Sequence, residues 1–150
     1  MESKNIGLVL EGGGLRGVYT AGVLDVFLDN GLMAPYIIGV SAGACQSFSY
    51  VSLQRGRSYR VNADYVSDSR YLSVRNLITK GEIFGMDFMF DEIPNKLIPF
   101  DYDTFNNAVE TVVMGVTDCE TGAPEYFSNK DGHDMFRICR ASSSLPLLSK

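Results

Sequence analysis

Residues 37–43 read IIGVSAG, an apolar pair, Ile37-Ile38, that runs into Gly39-Val40-Ser41-Ala42-Gly43. The next eleven residues, Ala44 to Gln54, contain neither Gly nor Pro and are predicted to be helical. The local order is strand, serine, helix. A G-x-S-x-G pentapeptide in that setting is the pattern of a sharp turn that lifts a serine hydroxyl off the top of a sheet. Gly39 and Gly43 are needed because the turn crowds the positions two before and two after the serine, where a β-carbon would collide. The helix N-terminus adds positive potential, which favours a developing alkoxide at Ser41. The pentapeptide alone is a weak signal. It becomes informative here because an apolar run precedes it and small residues, Ala42 to Cys45, follow.

Upstream, Asn5 to Leu10 (NIGLVL) is a second short apolar run, of the kind that buried parallel strands show, as is Tyr36 to Val40 (YIIGV). Between them Val18 to Asn30 carries apolar residues on most faces and stops at Asn30-Gly31, a helix C-terminal signal. Two parallel strands joined by a helix are therefore expected, in an α/β fold with an open, mainly parallel sheet. The loop after the first strand, Glu11 to Gly17 (EGGGLRG), then shares the sheet edge with Ser41, and open α/β sheets place their ligands at that edge.

That loop contains Gly12-x-Gly14-x-x-Gly17, which is also a dinucleotide fingerprint. Its physical content is general: glycines let backbone N–H groups approach a negative group at a helix N-terminus. A dinucleotide site wants an acidic residue at the end of the second strand, where this chain has Val40-Ser41-Ala42. The loop thus has three readings: a nucleotide-binding module, a structural tight turn, or an oxyanion-binding loop beside Ser41. The last is favoured. Arg16 is a candidate to hold the loop or an anion, or else a solvated arginine.

Residues 55–108 are expected to form a mostly helical insertion, with one helix from Val61 to Thr79 and with Gly81, Gly85, Pro94 and Pro99 as punctuation. Phe84, Phe88, Phe90, Phe100, Tyr102 and Phe105 suit core packing first, and an acyl-chain groove or lid over Ser41 second. Asp87, Asp91, Glu92, Asp101 and Asp103 lack the spacing of a calcium loop and read as a solvated face, so no metal is expected. Glu110 to Thr117 is strand-like, Glu125 to Ser128 is a return strand, and Asp131 is a candidate cap for a final helix through Phe136 to Ala141.

The chain has 150 residues, 45% hydrophobic and 21% charged, enough for a real core. Thirteen basic against 18 acidic residues give a net charge of -5 with no basic cluster, which argues against a nucleic-acid partner. Cys45, Cys119 and Cys139 are odd in number and far apart, so neither a disulfide framework nor a zinc site is expected, and a reducing, cytoplasmic setting fits. No signal-peptide core and no run of about 18 apolar residues is present, which leaves contact with a membrane surface open.

An activated serine needs a base. His133 is the lone histidine and sits in Asn129-Lys130-Asp131-Gly132-His133-Asp134, where turn and capping chemistry already account for it. If it is not the base, a carboxylate must activate Ser41 directly.

Taken together, Gly12-Gly13-Gly14-Leu15-Arg16-Gly17 and Gly39-Val40-Ser41-Ala42-Gly43, in this order and spacing, resemble the patatin-like phospholipase family. Ala141-Ser142-Ser143-Ser144-Leu145-Pro146 is similar to that family's A-S-x-x-x-P segment. The likeness spans most of the chain and is weakest over residues 55–108. It implies a three-layer α/β sandwich and a serine acyl-ester hydrolase acting on a lipid or small ester without cofactor. Ser41 would be the nucleophile, with Gly12, Gly13, Gly14 and Arg16 around the oxyanion hole. The family's base is an aspartate in a D-G-G or D-G-A motif that follows the A-S-x-x-x-P segment by some tens of residues. Here the sequence stops at Lys150, and Asp131-Gly132 precedes that segment. The 150 residues are therefore expected to be the N-terminal part of a longer domain. Without the base they are expected to be nearly inactive, since losing a serine's activating partner costs about four orders of magnitude.

Overall fold

A computed structural model describes residues 6–146 and 148–149. Asn5, expected to open the first strand, lies outside the described residues. The chain begins with strand β1 (Gly7–Leu10), a single 3-10 turn (Gly14–Arg16), helix α1 (Gly17–Asp29) and strand β2 (Tyr36–Gly39). Helix α2 (Ala42–Val51) starts directly after Ser41 and stops short of Gln54, because Leu53 takes a positive φ of 58° that ends the helical run.

The sheet has strand order β1-β2-β3-β4, with β3 (Thr111–Thr117) parallel to β2 and β4 (Pro124–Ser128) antiparallel to β3. It is an open, mainly parallel sheet with flanking helices. Leu10, Ile37, Val112 and Met114 share a buried cluster with Ala44 and Phe48 of α2 and with Met135 and Cys139 of helix α6 (Met135–Ser143). Those helices cover that face of the sheet, whereas Val9 is 78% exposed. Tyr50 ties the end of α2 to the chain entering β2: its hydroxyl donates to Leu32 O at 2.8 Å and accepts from Ala34 N at 3.0 Å.

Residues 55–108 contain helices α3 (Arg57–Ala63), α4 (Val74–Lys80) and α5 (Tyr102–Asn106), and a wide helical segment, Phe88–Leu97, of π geometry. The single helix expected over Val61 to Thr79 is therefore corrected to two short ones. The break has a side-chain cause. Asp68 turns the chain by accepting from Arg70 N at 2.8 Å, and Ser73 then caps α4 by accepting from Asn76 N at 3.1 Å. In the wide segment Pro94 has no N–H to give, and the chain closes instead with Ile98 N donating to Ile93 O, five residues back. Tyr71, Phe88, Ile93 and Ile98 form a second buried cluster, against which Leu15 from the glycine-rich loop packs.

The cap of α6 is also corrected. Asp134, not Asp131, accepts from Phe136 N and Arg137 N, at 3.1 and 3.2 Å. Asp131 is held three residues earlier in a turn, accepting from Ser128 N at 3.2 Å. Among the described residues no helix is long and apolar enough to cross a membrane.

Candidate active site

Ser41 sits where β2 ends and α2 begins, with φ 52° and ψ −120°. A positive φ at a residue with a β-carbon is costly, about 1–3 kcal/mol, and persists only where the surroundings over-determine it. The surroundings here do so. A β-carbon on Gly39 would lie 2.7 Å from Ala44 N, and one on Gly43 would lie 2.1 Å from the Leu10 carbonyl oxygen of β1. Both contacts are with backbone, so β1, β2 and α2 pack this closely only through glycine. Val40 N donates to Leu10 O at 3.1 Å and Gly43 N to Val40 O at 2.9 Å, closing the turn.

A further tether comes from the other end of the chain. Ser41 N donates to Ser142 Oγ at 2.8 Å, and that hydroxyl donates to Gly115 O of β3 at 2.6 Å. Ser142 thus holds the strained residue to α6 and the sheet at once. The sequence pointed to the segment containing Ser142 only by resemblance and gave it no role, since the contact spans 101 residues.

The glycine-rich loop lies against Ser41. A β-carbon on Gly12 would come within 3.3 Å of Ser41 Cβ and 4.0 Å of Ser41 Oγ. Gly14 has φ 55°, and among the described residues none of the N–H groups of Gly12, Gly13 and Gly14 has a hydrogen-bond partner. Arg16 folds back on the loop, donating from N and Nε to Gly13 O at 3.2 and 3.4 Å, and remains exposed. Gly17 is where α1 crosses α2: a β-carbon there would lie 2.9 Å from Gln46 Nε2 and 3.2 Å from Ala42 Cβ. The local arrangement is a hydroxyl on a strained turn beside a glycine-rich loop.

Among the described residues no carboxylate or imidazole is hydrogen-bonded to Ser41 Oγ. The strand register places Ser128 beside Val113, so the turn from Asp131 to His133 lies at the opposite edge of the sheet from Ser41. His133 is exposed there and packs edge-on against Phe127 at 5.0 Å. Among the described residues no group of three or more His, Cys, Asp or Glu is placed to hold a metal ion.

Ser41 also opens onto an apolar cavity of about 160 Å³, at the seam between the two buried clusters. Phe84 and Phe90 line it, whereas Phe88, Phe100 and Phe105 are core residues. Cys45, one helical turn beyond Ser41, is at its wall with its sulfur 3.4 Å from that of Cys139. The hydrogen bond from Cys139 pulls the Cys45 thiol below its ordinary pKa, while burial pushes Cys139 well up. All three cysteines are free thiols. Gln46, 2% exposed, also lines the cavity, and its Oε1 has no hydrogen-bond partner among the described residues. Arg57 reaches the wall from α3. Desolvation pushes its pKa down to about 10, and it is held by Ile98 O at 3.0 Å and by stacking on Phe100.

A family model described as patatin-like phospholipase matches residues 8–150. The chain is 28% identical over 146 residues to an uncharacterized protein, YjjU, of Escherichia coli (strain K12). That match covers 94% of this chain and 40% of the relative, so the chain spans well under half the relative's length.

Proposed function

The chain belongs to the patatin-like phospholipase family, and on that premise we propose that the whole protein is a serine acyl-ester hydrolase in which Ser41 is the nucleophile. The observation that carries this reading is the strained Ser41 turn, at φ 52°, with the Gly12 backbone packed against its side chain. A non-glycine residue at positive φ is expected where a hydroxyl must be presented rather than packed.

In this reading Ser41 Oγ attacks the carbonyl carbon of a lipid or small ester. The Gly13 and Gly14 N–H groups hold the oxyanion, each preorganised donor being worth about 100 to 1000-fold in rate. Arg16 orders the loop through Gly13 O, the contact it makes in the folded chain. The alcohol leaves, and water releases the acid from the acyl-serine. The base is an aspartate outside these 150 residues. The position of His133 at the far edge of the sheet supports that assignment over a Ser-His pair. Close approach of Gly12 to Ser41, the α1–α2 crossing at Gly17 and the positive φ of Gly14 give each of these glycines a role that needs no nucleotide. A lipid substrate would be met at a membrane surface, by peripheral contact.

The test is Ser41→Ala in the full-length protein with p-nitrophenyl esters. Turnover should fall by at least about four orders of magnitude while the thermal midpoint stays close to that of the parent. A variant as active as the parent would remove Ser41 from the chemistry.

A further inference from the structure

Two of the three cysteines meet inside the protein although 94 residues separate them in sequence: Cys45 Sγ lies 3.4 Å from Cys139 Sγ. Sulfurs at that distance are in contact, and a disulfide bond, about 2.05 Å long, needs them to close by about 1.4 Å. The two thiols differ in access and in chemistry. Cys45 is partly exposed and lines the cavity onto which Ser41 opens, so a small solute that reaches Ser41 reaches this sulfur too. Cys139 is buried. The hydrogen bond between them holds the Cys45 thiol below its ordinary pKa, while burial keeps Cys139 protonated. Cys45 is therefore the sulfur that attacks, and Cys139 the one that follows. Cys119, exposed beyond β3, has its thiol on the Thr117 carbonyl and not on another sulfur.

We propose that Cys45 and Cys139 form a reversible disulfide when the protein meets a hydroperoxide, and that this bond lowers the reactivity of Ser41. The Cys45 sulfur attacks the outer peroxide oxygen, the O–O bond breaks, and the thiol proton leaves with the other oxygen as an alcohol. Cys45 is then a sulfenic acid, oxidised by two electrons, and the peroxide is reduced. The Cys139 sulfur displaces the sulfenic oxygen, which departs as water with the Cys139 proton and leaves the S–S bond. A dithiol reverses the change. Disulfides that form in a reducing compartment are usually transient and redox-sensing, a use that suits an accessible sulfur with a buried partner. The place of the bond gives it an effect. Cys45 lies four residues after Ser41 on α2, and Cys139 three residues before Ser142 on α6. Ser142 is the residue whose hydroxyl accepts from Ser41 N at 2.8 Å. Drawing the sulfurs together shifts α6 against α2 one helical turn from that hydrogen bond, and so changes the hold on the strained serine. Only this effect rests on the reading of Ser41 as nucleophile; the bond itself does not.

Peptide mapping separates the two claims. Full-length protein, reduced and then freed of reductant, is treated with hydrogen peroxide, blocked with N-ethylmaleimide in denaturant and cut with trypsin. Cleavage after Arg16, Arg55, Arg137 and Arg140 leaves Cys45 in residues 17–55 and Cys139 in residues 138–140, each with no other cysteine. The expected product is these two peptides joined, two hydrogens lighter than their sum, and absent after dithiothreitol. In the same samples the rate of labelling by a serine-directed phosphonate should fall about 10 to 100-fold, the scale of about an ångström's misplacement, and recover with dithiothreitol. Cys139→Ala should lose both the joined peptide and the recoverable fall, and Cys45→Ala gives the same readouts should the first variant not fold. Cys119→Ser should keep both. Recovery of both peptides as maleimide adducts after peroxide, or of an oxidised Cys45 with no joined peptide, overturns the proposal. So does a joined peptide with undiminished labelling, since the bond would then leave the site as it was. A joined peptide in a protein that takes no phosphonate even when reduced would sustain the disulfide and remove the hydrolase reading instead.

Discussion

Replacing Ser142 by alanine takes away one oxygen and leaves two groups unpaired: the Ser41 N–H, which now donates at 2.8 Å, and the Gly115 carbonyl, which now accepts at 2.6 Å. Ser41 is partly buried, so its stranded N–H costs about 1–3 kcal/mol. That cost is comparable with the strain of about 1–3 kcal/mol held at its positive φ. The native turn and a relaxed one would then compete. If the loss falls wholly on the turn, the fraction of molecules with Ser41 in its present conformation drops by about 5 to 150-fold, since 1.4 kcal/mol is a factor of ten. The expected result in full-length protein is a fall in kcat of that size with KM little changed. The rate of covalent labelling by a serine-directed phosphonate should fall in parallel. Ser142→Thr keeps the hydroxyl and should recover most of the labelling rate. A Ser142→Ala variant with a lowered thermal midpoint but undiminished labelling would refute the reasoning, because the hydroxyl would then support the fold without holding Ser41.

The steric account of the elbow predicts that Gly43→Ala loses at least about 3 kcal/mol by urea unfolding, since its new β-carbon meets the Leu10 carbonyl of a paired strand. Gly7→Ala, which meets nothing within 4 Å, should change stability by less than about 0.5 kcal/mol. Tyr71 is 2% exposed, and burial, with a smaller contribution from Cys45, pushes its pKa up to about 12. Its folded pKa lies above the unfolded value of about 10, so its contribution is complete below about pH 10 and is lost as pH rises toward 12. Alkaline denaturation should therefore remove about 2–3 kcal/mol through this residue. Tyr71→Phe should make the midpoint less steep in that range, and an unchanged slope would discount the buried hydroxyl.

The motifs were legible because they obey short-range rules. A strand that must turn into a helix within five residues, with a hydroxyl at the apex, needs glycine on both sides, and Gly39 and Gly43 meet Ala44 N and Leu10 O as that rule requires. The alternation of apolar runs with a helical segment likewise gave the parallel β1-β2 pair. Boundaries inside residues 55–108 were less legible. There Asp68, Ser73 and Pro94 override an apolar pattern that reads as one helix, through local hydrogen bonds and a missing donor. The cap at Asp134 is not legible for a similar reason: Asp131 and Asp134 are both good caps in sequence, and only the chain's path after β4 decides between them.

By itself the sequence determined which chemistry sits at the sheet edge: a serine hydroxyl on an elbow and a glycine loop one strand away, both dictated by steric limits on neighbouring residues. Tertiary structure alone decided what holds that serine and what it faces. Ser142 reaches Ser41 across 101 residues, His133 ends at the opposite edge by strand register, and the cavity exists only where two separate clusters meet. Contacts of that range depend on how whole elements pack, and no local pattern of residues encodes them.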